Sequence, residues 1–275
     1  MNNVQSGVQE LQHHVQCTEL DRWLSAPDLS TNYIKALKQR HDGTGNWLLD
    51  GKDLSDWMES QHSFLWLYGI PGCGKTILST SVIERLQQLS QSSDSHSIVI
   101  YFYFDFNDTA KQTVDSMVRS LIAQSSYQSK DNGHLNRLFE RCGNGKTQPN
   151  TDALLATLQG MLQACGQVRV MLDALDECTT RKELLQWLEG LVAPRAGSIQ
   201  LIATSRREQE IELGITKWAN PTEIVSIQEG LVNDDISAYV KARIEDPNGD
   251  LKRWRSRPDV QSEIERRLME KSQGM

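Results

Sequence analysis

Apolar positions along the chain switch repeatedly between a helical spacing and short unbroken runs. Near the start, Val8, Leu11, Val15, Leu20, Trp23 and Leu24 fall loosely on one helical face until Pro27 interrupts. A second short helix is predicted with Tyr33, Ile34 and Leu37 on its apolar side, and another over Leu54–Met58. Between them a loop of small residues, His41 to Asn46, leads to Trp47-Leu48-Leu49. From Phe64 the pattern changes. Phe64–Tyr68, Ile98–Phe104, Val168–Leu172 and Ile199–Thr204 read as buried strands, with Glu223–Ile227 a fifth candidate. Helical spacing returns from Lys75 to about Leu89, with Ile77, Leu78, Val82, Ile83, Leu86 and Leu89 inward. It recurs over Val114–Gln124, Asp152–Ala164 and Lys182–Leu191. Polar loops are predicted over Gln87–Ser97, Gln128–Asn132 and Gly143–Asn150, and Asn233 as the N-cap of a helix over Asp234–Ile244. Short strands alternating with helices predict an α/β fold with a five-stranded parallel sheet flanked by helices.

Composition narrows the classes without selecting one. The chain has 275 residues, 24% of them charged and 38% hydrophobic, which is ordinary for a globular protein. With 29 basic and 36 acidic residues the net charge is −7, a poor basis for gripping a phosphate backbone, so nucleic acid is not expected as a partner. The five cysteines form no CxxC pair, which indicates neither a disulfide framework nor a zinc knuckle. No apolar segment is long enough to span a membrane, and the polar start predicts no signal peptide. These readings place the chain in a reducing compartment, most simply the cytoplasm.

The chemistry begins at Gly69-Ile70-Pro71-Gly72-Cys73-Gly74-Lys75-Thr76, a GxxxxGK[ST] match between a predicted strand and a predicted helix. Glycines let the backbone curl close to phosphate oxygens, and successive N–H groups with the helix N-terminus form an anion cradle. Lys75 would reach the β- and γ-phosphates, and the Thr76 hydroxyl would ligate Mg²⁺. Ile77 continues the binding segment into the helix. Cys73 inside the loop exposes it to thiol-directed reagents.

A second acid-bearing segment supports this. Val168–Leu172 ends at Asp173, followed by Ala174-Leu175-Asp176-Glu177. An acid at the C-terminal edge of a strand can hold the Mg²⁺, and Asp176 or Glu177 would then act as base or orienter toward attacking water. The same two acids would also serve a helix N-terminus. After the fourth strand, Thr204-Ser205-Arg206-Arg207 offers Arg206 as the cation facing the γ-phosphate, with Ser205 as polar helper; a solvated surface arginine is the alternative.

Together the loop GIPGCGKT, the acid motif VMLDALDE and the tripeptide TSR resemble the NACHT group of STAND P-loop NTPases, with Ala174 as the small residue after the metal-binding acid. The stretch Leu37–Leu49 is similar to the segment preceding the core in fungal NOD-like receptors of the heterokaryon-incompatibility type. The resemblance implies a slow NTPase switch using Mg²⁺ with ATP/ADP or GTP/GDP, self-associating in the triphosphate state. It places Gly43, Thr44 and Gly45 near the base through backbone contacts. It divides the chain into an N-terminal helical segment (1–60), the NTPase domain (61–228) and the start of a helical subdomain (229–275). In relatives a winged-helix domain follows; without it, diphosphate retention would be weaker. A nucleotide-dependent scaffold without turnover and a P-loop kinase are the alternatives.

Other features have simpler readings. His13-His14 lacks companion ligands at metal spacing. Lys252, Arg253, Arg255 and Arg257 read as a solvated face. Tyr101–Phe104 reads as strand core.

Overall fold

The computed structural model describes residues 18–272 apart from 42, 93–96, 130–131, 193–197, 228, 247–248, 250–251 and 255. The expectations for Val8, Leu11, Val15 and His13-His14 lie outside the described residues.

Five parallel strands form the sheet: β1 (Ser63–Tyr68), β2 (Ser97–Tyr103), β3 (Gln167–Asp173), β4 (Ser198–Ser205) and β5 (Ile224–Ser226). Their spatial order is β2-β3-β4-β1-β5. Consecutive buried residues along β1, β2 and β4 mean that both sheet faces are covered. The helices are α1 (18–24), α2 (Ser30–Gln39), α3 (Asn46–Leu49), α4 (Lys52–Glu59), α5 (Lys75–Ser92), α6 (Val114–Gln128), α7 (Gly133–Arg141), α8 (Thr151–Ala164), α9 (Arg181–Val192), α10 (Gln209–Ile215), α11 (Glu229–Glu245) and α12 (Pro258–Ser272). α5 packs on β2, β3 and β4, and α2 and α3 pack on α5. Leu20, Trp23, Leu24, Leu48 and Trp57 from the N-terminal helices share one apolar core with Phe64, Trp66 and Phe102 of the sheet. A buried glutamine makes the join specific. The Gln200 amide donates to the carbonyls of Trp57 and Ser60, while the Trp57 indole donates to Leu201 O.

Several predicted boundaries move, each for a physical reason. α5 runs on to Ser92, absorbing much of the polar run predicted as loop. Gln is a good helix former, and the Ser90 hydroxyl donates to the Leu86 carbonyl within the last turns. α6 continues to Gln128 because its glutamines dress the exposed edge of β2. The Gln124 amide pairs with both backbone groups of Tyr101, and the Gln128 amide with both of Val99. α7 was not expected; Leu135 and Leu138 bury its inner face between two polar loops. Ile34, expected on the apolar side of α2, is 47% exposed, and Ala36 is the buried position instead. Ile77 and Leu89 are half-buried. Asn233 is no N-cap: it lies inside α11, which begins at Glu229. Arg253 and Arg257 are exposed, as a solvated face requires, with Arg257 paired to Asp259.

Candidate functional site

Strand order decides which residues meet. β4 lies between β3 and β1, so the ends of the loop strand, the acid strand and the Thr204-Ser205-Arg206 strand converge at one sheet edge. The loop leaves β1 after Tyr68 and enters α5 at Lys75. Gly72 and Gly74 hold φ of 78° and 87°, a left-handed backbone that side chains disfavour. A Cβ at Gly69 would stand 2.6 Å from Cys73 Sγ and 3.2 Å from Ile227 Cβ, so the loop base admits no side chain. Lys75 Nζ donates to the carbonyls of Gly69 and Ile70, each at 2.9 Å, which holds the ammonium across the loop. Ile70, Pro71 and Gly72 face solvent. Gly74→Ala meets no steric obstacle but forces alanine into the left-handed region. At a cost of about 1 kcal/mol or more it should distort the amide cradle, lowering nucleotide affinity with little change in melting temperature.

Asp173 is the centre of the site. It is 2% exposed and accepts three hydroxyl hydrogen bonds: Thr76 at 2.7 Å, Ser79 at 2.6 Å and Thr204 at 2.7 Å. Burial pushes its carboxyl up; the three hydroxyls and the Lys75 charge pull the other way. The two predicted metal-site residues, Thr76 and Asp173, are thus in direct contact. Ser79 and Thr204 were not assigned this role from sequence. Ser79 lies one helical turn beyond Thr76, a spacing that could have pointed to it. Ala174 adopts φ 59°, a left-handed turn into the short 3₁₀ helix Leu175–Glu177 that a bulky residue would resist.

The following acids are engaged. Asp176 accepts from the Arg206 amide at 2.9 Å and pairs with Arg206 Nε at 3.2 Å. Glu177 accepts from the Phe106 amide at 2.9 Å, and burial raises its carboxyl above the ordinary value, with Asp176, Asp105 and Asp173 adding to the rise. Arg206 is 46% exposed and lies against Asp176, so a phosphate would compete with that carboxylate for it. Ser205 is buried, accepting from the Trp66 indole and donating to the Arg206 carbonyl.

On the other side of the loop a cleft of about 770 Å³ is bordered by Thr44, Gly45, Gly74 and Ile77 and by Asp235 and Tyr239 of α11. Gly45 packs behind the loop: a Cβ there would stand 2.7 Å from Leu78 Cδ2. Its amide donates to both carboxylate oxygens of Asp235 at 3.0 Å. Gly43 is exposed and does not line this cleft, whereas Thr44 and Gly45 do.

The family model described as nephrocystin 3, N-terminal, matches residues 43–206, which span both the loop and the acid strand. The chain belongs to this family. It is also 25% identical over 208 residues to the vegetative incompatibility protein HET-E-1 of Podospora anserina. That match covers 72% of this chain and 15% of the relative, so the chain spans only a small part of that relative's length. The family match and this relative bear out the resemblance to NACHT and STAND proteins. The nephrocystin-type chain is a P-loop NTPase nucleotide-binding domain. Among solved structures, Aeropyrum pernix Orc1 in complex with DNA is 16% identical at a TM-score of 0.42, covering 74% of this chain and 54% of that one. Cdc6p from Pyrobaculum aerophilum is 14% identical at 0.43, covering 68% and 45%. The fold class rests on the parallel sheet itself. Among the described residues, no helix is long and apolar enough to cross a membrane.

Proposed function

We propose that the chain is a nucleotide switch that binds ATP or GTP with Mg²⁺, hydrolyses it slowly, and couples the phosphate state to self-association in the cytoplasm. The observation that carries this is the contact between Thr76 and Asp173, which joins the phosphate-loop helix to the acid strand. The donor set suits Mg²⁺: a carboxylate and a hydroxyl supply two hard oxygens, leaving further positions to phosphate and water. When bound, the ion would supply positive charge against the phosphates. In this reading the amides of Ile70, Pro71-flanking Gly72, Cys73 and Gly74 cradle the phosphates, and Lys75 turns from its carbonyls to them. Thr76 and Asp173 would hold the metal, and Glu177 or Asp176 would orient water. Arg206 leaves Asp176 for the γ-phosphate, so the pair reports whether that phosphate is present. Among the described residues, Val240 and Ile244 are buried apart from the main core, which supports 229–275 as a separate subdomain beside 61–228; of the lead-in 1–60, the helices from residue 18 onward pack onto the latter.

One observation favours the competing scaffold reading: both candidate acids already have partners. Glu177→Gln separates the two. Its amide oxygen can still accept from Phe106, so binding should persist, while phosphate release slows at least tenfold if Glu177 orients water. An unchanged slow rate moves that role to Asp176 or to no residue. The same variant has a pH signature. Because the folded carboxyl lies above its ordinary value of 4.5, the folded chain keeps a proton that the unfolded chain releases. Its contribution to stability is therefore present below pH 4.5 and is lost as pH rises through the folded value. Urea midpoints at pH 4 and 7 should show Glu177→Gln gaining on the wild type at the higher pH.

A further inference from the structure

Lys111 is a basic side chain that the proposed site does not use, and it is 3% exposed. A lysine buried this deeply must find acceptors for its three N–H groups. They are the Thr31 hydroxyl at 3.1 Å, the Asn32 side-chain oxygen at 2.6 Å and the Asp108 carboxylate at 3.2 Å. Thr31 and Asn32 stand in the first turn of α2, so the lysine clasps the lead-in to the loop that follows β2. Asn32 uses its other end as well. Its amide donates to Asp105 Oδ2 at 2.9 Å, while Asp105 Oδ1 accepts from the Asn107 amide at 2.9 Å. Phe106 sits inside that turn, and its own N–H donates to Glu177 Oε2 at 2.9 Å. The same loop is tied to the acid segment again, two residues beyond Glu177. The Gln112 side chain donates to the Phe106 carbonyl at 2.7 Å, and the Gln112 carbonyl accepts from the Thr179 amide and hydroxyl. Among the described residues, Oε1 of Glu177 has no hydrogen-bond partner, and Glu177 lines a cleft of about 1000 Å³ with Asp176 and Arg206.

We infer that Asn32 and Lys111 are positioning residues for Glu177: they fix the loop after β2 so that the Phe106 amide holds one carboxylate oxygen and leaves the other for water. This rests on the hydrolysis reading above and deepens it, because it makes α2 of the lead-in part of the hydrolytic machinery. A glutamate side chain has several staggered rotamers and a broad terminal torsion, and a charge-assisted bond to one oxygen confines it to one direction. That donor is only as fixed as its loop. Without Asn32, Asp105 Oδ2 loses its amide partner and turns to water, the turn around Phe106 loosens, and Glu177 loses a fixed donor. The Gly69–Thr76 loop makes no contact with this network and keeps its shape. Turnover should therefore fall while nucleotide affinity holds, a split that a general loss of stability does not produce.

Single-turnover phosphate release from ATP and GTP with Mg²⁺, in Asn32→Ala, Glu177→Gln and the double variant, tests this. Asn32→Ala should slow release about tenfold, with nucleotide affinity within about twofold of the wild type. Because both changes act through one carboxylate, the double variant should be slower than Glu177→Gln by no more than about twofold. Asn32→Asp keeps an oxygen for Lys111 and sets a second carboxylate against Asp105, so it should slow release with the clasp to Lys111 intact. A second readout needs no nucleotide. The chain has five phenylalanines, so isotopic labelling of their amides gives a sparse magnetic-resonance spectrum in which Phe106→Leu identifies one signal. The Phe106 signal should move upfield in Asn32→Ala and in Glu177→Gln, since each weakens its bond to a carboxylate. An unchanged or faster rate, additive slowing in the double variant, or an unmoved Phe106 signal in Asn32→Ala would overturn the positioning role. No phosphate release from the wild type would overturn the hydrolysis reading instead, and the Phe106 signal would still decide the link from Asn32 to Glu177.

Discussion

Lys75→Ala should weaken nucleotide binding by about 100-fold or more without unfolding the chain. The ammonium reaches two carbonyls of its own loop, Gly69 and Ile70, which places its charge over the curve of the backbone. Transferred to phosphate oxygens, two charge-assisted bonds at about 1.5–3 kcal/mol each account for a loss of that size. The structural cost is small. Lys75 is half-exposed, and water can serve the carbonyls it leaves, so stability should change by less than about 1 kcal/mol. Fluorescence titration with a labelled nucleotide, beside a thermal melt, separates the two effects. Wild-type affinity in the variant would refute the assignment of the loop.

Asp173 should behave in the opposite way, with stability and binding lost together. Replacing it by alanine leaves the hydroxyls of Thr76, Ser79 and Thr204 without their acceptor; Ser79 and Thr204 are buried, while Thr76 can turn to water. Each of the two buried hydroxyls costs about 1–3 kcal/mol, partly offset because a buried carboxylate no longer has to be kept from water, so a net loss of about 2–4 kcal/mol is expected. Asp173→Asn offers an oxygen to two hydroxyls and an amide hydrogen to the third, so most of the stability should return. The charge needed for the metal does not return, and the Mg²⁺ enhancement of triphosphate binding should fall about tenfold or more. Urea denaturation of both variants, with binding measured with and without Mg²⁺, would check this. A destabilised Asp173→Asn with intact Mg²⁺ response would contradict the geometry.

The contrast between those residues also shows what was legible in the sequence. The loop and the acid strand carry local signals: glycines that need left-handed backbone, an apolar run ending in an acid, and a helix starting at a lysine. These mark the two segments whose ends meet at one sheet edge, where Thr76 and Asp173 are in contact. The position of β4 between β3 and β1 is a property of the whole sheet, and it sets Thr204 on Asp173. Gln128 at the end of α6 read as loop because its partners are backbone groups of an edge strand, invisible until the strand order is known. Asn233 was misread for the same kind of reason: a good capping residue carries no mark of whether the helix has already begun. Asp235 had no local signal at all, since its partner Gly45 is 190 positions away.

The central claim is that the Gly69–Thr76 loop and Asp173 form one nucleoside-triphosphate site that uses Mg²⁺. Calorimetric titration of the wild-type chain with ATP and with GTP, each in the presence of Mg²⁺ and of a chelator, tests it most directly. The account predicts one site per chain for at least one of the two nucleotides, tightened by Mg²⁺. No saturable heat for either nucleotide, or saturation indifferent to Mg²⁺, would contradict it.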